Sequence, residues 1–176
     1  MKRQTLSALA AILLPIAACT PEDVSTTGDT ITPVVTVCDL EPGDLAISEL
    51  FPNPIGVDDG QEWFEVRNRT DRKLAIAGLV IQIGAGTKPK AHEVPAALDP
   101  GIEPGAVFVF GNGVMAEESF VGYSWPDMTL ANSSGLIVLM CGDTEIDRVA
   151  WGSDAAGPAA PGEGRSVQLT SSIADS

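Results

Sequence analysis

Beyond residue 43 the apolar positions come in short runs, each closed by turn-forming residues. The runs fall at 45–51, 62–68, 73–76, 79–83, 91–94, 106–110, 135–140, 144–150 and 165–169. Their lengths are those of ordinary β-strands. Between them stand Pro52-Asn53-Pro54, Asp58-Asp59-Gly60, Asn68-Arg69-Thr70-Asp71, Gly111-Asn112-Gly113, Cys141-Gly142-Asp143 and a Gly/Pro-rich stretch at 152–164. Such residues close turns because they tolerate bent backbone or bond their own main chain. Alternation places Phe64 and Val66 on one face, as it does Leu79, Ile81 and Ile83, and Val107 and Val109. No stretch past the N-terminus carries a helical i, i+3, i+4 stripe. The pattern predicts an all-β fold of two stacked sheets. Val34-Val35-Thr36-Val37 reads equally as a first strand or as the end of a preceding tether.

Composition agrees. The chain has 176 residues, 44% apolar and 19% charged, enough to fill a core. Gly 18 and Pro 13 favour strands and turns over long helices. Ten Lys and Arg against 24 Asp and Glu give a net charge of −14. That balance repels phosphate backbones and sets nucleic acid aside as a partner. A single histidine, His92, removes most acid–base and metal constellations.

The N-terminus reads as an address. Lys2 and Arg3 precede an apolar run from Leu6 to Ala18, too short for a permanent membrane span. Ile16-Ala17-Ala18-Cys19 resembles the bacterial lipobox, which implies removal of residues 1–18 and a diacylglyceryl group on Cys19. The cut takes away two cations and no acid, so the balance falls by two, from −14 to −16. Two or three acyl chains hold a protein on a membrane, at about 0.8 kcal/mol per buried CH₂. Thr20 is not the aspartate that retains lipoproteins at the inner membrane, which implies the outer membrane of a bacterial envelope. Residues 19–42, rich in Thr, Asp, Pro and Ser, read as a solvated tether. With Cys19 set aside, Cys38 and Cys141 remain. Outside the cytoplasm they pair with each other, stay as free thiols, or pair with partners missing from this chain.

The body carries a further resemblance. Ile47-Ser48-Glu49-Leu50-Phe51-Pro52-Asn53-Pro54, followed by 58–68 with its Glu62-Trp63-Phe64-Glu65-Val66-Arg67-Asn68, is similar to the opening of the lamin tail domain family. Leu74-Ala75-Ile76-Ala77-Gly78-Leu79, 136–140, 147–152 and 164–169 resemble its later blocks in order. The match spans about residues 43–170. It implies an immunoglobulin-like β-sandwich which, in bacteria, belongs to exported proteins. The nuclear role of lamins does not follow, because no heptad rod is present. Bacterial members often continue past the last strand, so 171–176 reads as a tail cut short.

The best site candidate is the loop 56–62. Asp58, Asp59 and Glu62 supply hard oxygen atoms suited to Ca²⁺, and Glu49 and Glu65 add to them if the strands pair suitably. The competing reading is turn chemistry and solubility. Glu49 interrupts an apolar strand, which points to a bulge or to backbone N–H partners. Arg67, Arg69, Arg72 and Lys73 form the basic cluster, either a patch for an anionic glycan or head group, or cations paired with neighbouring acids. Trp63, Trp125 and Trp151 read as core or edge packing before sugar platforms. No nucleophile–base or metal-ligand spacing is present, so no catalytic residue and no cofactor beyond a structural calcium is expected.

These readings together predict an exported, lipid-anchored, non-catalytic β-sandwich that contacts envelope protein or polysaccharide. The alternatives are a structural spacer or shortened member with no ligand, or an accessory module of a secreted hydrolase.

Overall fold

Where apolar and polar residues alternate, one face of a strand is buried, and that burial fixes the register of the pairing. In the computed structural model, residues 34–58, 60–84, 88–96, 101–112, 120–152 and 156–169 are described. All of them belong to the unit Thr32–Ser176. The signal segment, Cys19, most of the tether, Asp59 and the tail 171–176 lie outside the described residues.

The strands are β1 (Val35–Thr36), β2 (Leu45–Phe51), β3 (Trp63–Asn68), β4 (Leu74–Ala75), β5 (Val80–Ile83), β6 (Lys90–Glu93), β7 (Val107–Gly111), β8 (Tyr123–Ser124), β9 (Ser134–Cys141), β10 (Thr144–Gly152) and β11 (Val167–Gln168). A 3-10 turn, Val37–Asp39, follows β1. The larger sheet has the order β11-β2-β3-β7-β8, the smaller β10-β9-β5-β6, and β1 pairs with β4 apart from both. The fold is an all-β sandwich.

The inner face of the larger sheet presents Leu45, Ile47, Leu50, Phe64, Val66 and Phe110. Phe64 and Phe110 stack across the β3–β7 pair at 5.0 Å. Opposite them lie Ile81, Ile83, Ile137, Leu139, Val149 and Trp151 of the smaller sheet. Trp151 lies across Gly135 on the neighbouring strand, where a Cβ would overlap the indole. Its Nε1 donates to the Ala131 carbonyl at 2.9 Å. Burying a large aromatic side chain is worth about 2–3 kcal/mol.

Two polar groups tie the sandwich together inside. Asn68 is fully buried at the end of β3. Its Nδ2 donates to the carbonyls of Arg72 (2.7 Å) and Ile102 (2.9 Å), and its Oδ1 accepts from the Thr70 N–H (3.0 Å). The turn signal at 68–71 is therefore a knot organised by one amide. Asp147 of β10 reaches the other sheet, its Oδ2 accepting from the Ile47 N–H at 2.6 Å. Burial pushes the Asp147 carboxyl above its usual range; the Ile47 and Arg148 N–H groups and the Arg69 charge pull it back.

The bulge expected near Glu49 falls immediately before it. The β2–β3 register shifts between Ile47 and Glu49, leaving Ser48 as the extra residue. At the N-terminus, Val35, Val37 and Leu40 are buried in the common core, and Val35 pairs with Leu74. This part of the segment read as tether packs as body. Cys38 and Cys141 are joined by a disulfide, with Cα atoms 5.1 Å apart and 103 positions between them in sequence.

Candidate functional site

On the outer face of the larger sheet the alternation leaves Phe51 of β2 opposite Trp63 of β3. The two rings stack at 5.4 Å. Phe120 meets Trp63 edge-on at 6.1 Å and is 46% exposed. Val121 lies over Gly111, the β7 residue paired with Trp63, in the space a side chain there would fill. The result is an apolar ridge across three strands at one end of the sheet. The loop at the same end carries Ile55 and Val57, 74% and 69% exposed. Large exposed apolar groups gathered in this way mark contact surfaces more than isolated ones do.

Next along the same face, Glu49 stands directly opposite Glu65. The Ser48 hydroxyl donates to Glu65 Oε1 at 2.6 Å. Among the described residues neither carboxylate joins an ion pair. The described chain begins at Val34, beside Leu74 and the Asn68 knot, at the other end of β3. Five strand steps of about 3.3 Å separate the two ends of β3.

Within the acidic loop, Glu62 turns inward. Glu62 is only 3% exposed. Its Oε2 accepts from Asn112 Nδ2 (2.9 Å) and from the Leu130 N–H (3.1 Å). Asn112 Oδ1 in return accepts from the Glu62 N–H at 3.1 Å. The pair fastens the start of β3 to the end of β7 and to the 126–132 segment. Asp58 sits nearer the mouth of the same cleft, a space of about 330 Å³, and accepts from Asn132 Nδ2 at 2.8 Å. Among the described residues no group of three or more His, Cys, Asp or Glu side chains is placed to hold a metal. Asp59 lies outside the described residues. The mutual contacts of Glu62 and Asn112 were not readable from sequence, where they stand 50 positions apart.

The basic cluster is distributed among partners. Lys73 Nζ pairs with Glu103 at 2.7 Å, and Arg72 Nε lies 3.7 Å from Asp71. Arg67 Nη1 donates to the Gly105 carbonyl at 3.2 Å, and Arg69 acts on Asp147. Exposed pairs of this kind are worth about 0–1 kcal/mol each. Lys73 and Arg72 thus face acids, while Arg67 bonds a main-chain carbonyl.

His92 stands on the inner side of β6, opposite Ile81. It stacks on Trp125 at 4.6 Å and shares a 2.7 Å hydrogen bond with the Tyr123 hydroxyl. Burial lowers its pKa, against the pull of Asp127. The cluster closes the open side of the sandwich between β6 and β8. Trp125 and Trp151 are buried, so Trp63 is the tryptophan left at the surface.

Set against known proteins, the chain matches no protein-family model, and no curated protein matches it.

Proposed function

We propose that this protein is an exported, lipid-anchored β-sandwich which binds another component of a bacterial envelope, protein or polysaccharide, without transforming it. The observation that carries the reading is the ridge of Phe51, Trp63 and Phe120, held open on an outer sheet face. The lipobox-like Ile16-Ala17-Ala18-Cys19 supports the anchor. The lamin tail resemblance supports an immunoglobulin-like topology for the sandwich.

The test compares immobilised full-length protein, in detergent, with its Phe120→Ser variant against a solubilised envelope fraction. Phe120 is half out of the fold already, so the variant keeps its structure, which its circular dichroism checks. The wild type is expected to retain a discrete component and the variant to lose at least three-quarters of it. Equal retention by both, or none by either, contradicts the reading.

A further inference from the structure

The face beside the ridge has an unusual electrostatic feature. Glu49 and Glu65 are direct cross-strand partners on the outer surface. Like charges so placed repel. Neither is relieved by a cation among the described residues, although Arg67 follows two positions after Glu65 on the same face and bonds Gly105 instead. Gln168, paired with Glu49 on the neighbouring strand, adds no charge. The whole chain is strongly acidic as well, at −14. Glu65 keeps its bond from the Ser48 hydroxyl, but the two carboxylates have no cation partner among the described residues, and beside a tryptophan ridge they make a surface suited to a cation. A planar guanidinium donates its several N–H groups to carboxylate oxygens and is attracted to aromatic rings. A second copy of this acidic chain is repelled by it, and sugar hydroxyls would leave the charge pair unneutralised. Exposed aliphatic residues at the same end, Ile55 and Val57, suit apolar side chains of a protein.

We propose that the outer end of the larger sheet is a docking surface for a basic segment of a partner protein. An arginine of that segment sits between Glu49 and Glu65, and its apolar side chains cover Phe51, Trp63 and Phe120. This is the arrangement of an interface hot spot, with aromatic anchors beside a charge-matched contact. The inference rests on the binding reading above and names the chemistry of the partner.

The probe is a twelve-residue synthetic peptide alternating arginine with leucine and glycine. Its control carries citrulline, which keeps the shape and removes the charge. Binding to full-length protein in detergent is followed by fluorescence anisotropy. The wild type is expected to bind the arginine peptide at least tenfold more tightly than the citrulline peptide. The double variant Glu49→Gln/Glu65→Gln is expected to lose about tenfold, and Phe120→Ser several-fold. Asp71→Asn, a fully exposed acid beyond the far end of β3, is expected to change nothing. Equal weakening by Asp71→Asn and by the double variant would mean attraction to net charge alone, and overturns the proposal. So does equal binding of the two peptides, or binding of a neutral glucan such as laminarin that the double variant abolishes. So does self-association lost in the same variants. If the peptide tests fail while Phe120→Ser still loses the envelope component, only the basic partner is refuted and the binding reading stands.

Discussion

Replacing Cys38 and Cys141 together by alanine is expected to destabilise the fold by about 2–5 kcal/mol. The bridge closes a loop of 103 positions, and a long loop loses much freedom in the unfolded chain when it is closed. It also holds a segment with little strand pairing of its own. β1 contributes two residues to a parallel pair with β4, and Val35, Val37 and Leu40 must be kept in the core from there. Thermal melting checks the effect. Each kcal/mol moves the midpoint of a domain of this size by roughly 3–5 °C, so a fall on the order of 10 °C is expected. Reducing the wild type should bring its midpoint down to that of the double variant. A midpoint unchanged by both treatments would show that the bridge contributes nothing to the folded state.

Glu62→Ala is expected to cost about 3 kcal/mol. The variant leaves the Leu130 N–H and Asn112 Nδ2 without their carboxylate acceptor in a buried place, and each such loss is worth about 1–3 kcal/mol. Glu62→Gln keeps one acceptor oxygen and should fall between. Asn112→Ala combined with Glu62→Ala should cost clearly less than the two alone added together, because the pair shares its bonds. Urea unfolding measures all of these. The same melts repeated in millimolar calcium separate the two readings of the acidic loop. A ligand of the folded state raises the midpoint. No rise leaves Glu62 as an internal fastening; a rise abolished by Glu62→Ala returns it to the metal.

The strands are legible where a largely apolar run is closed at both ends by turn residues. The run at 45–51 coincides with β2, and those at 62–68 and 144–150 differ from β3 and β10 by one or two residues. In these strands the face toward the core is continuous, so a hydrophobic count finds the ends. β8 was missed because Tyr123–Ser124 is held by two paired positions with β7 and not by a run of apolar residues. β1 is ambiguous in the sequence for the same reason: Val35 and Thr36 owe their place to Leu74 and to the core, neither of which is near in sequence. The acidic residues divided in a way that spacing does not reveal. Asp58 stays toward solvent while Glu62, four positions later, turns inward, because the strand beginning at Trp63 directs it toward Asn112. The aromatic ridge was half visible. Phe51 and Trp63 stand in recognisable strands, but their facing requires the β2–β3 register, which the bulge at Ser48 sets. Phe120 joins them from a segment with no strand signal at all.

Mass spectrometry of the protein isolated from its own cells tests the proposed lipid attachment. The expected chain begins at Cys19 and is heavier than its sequence by a diacylglyceryl group and an N-terminal acyl group. A chain that begins at Met1, or at Cys19 without lipid, would contradict it.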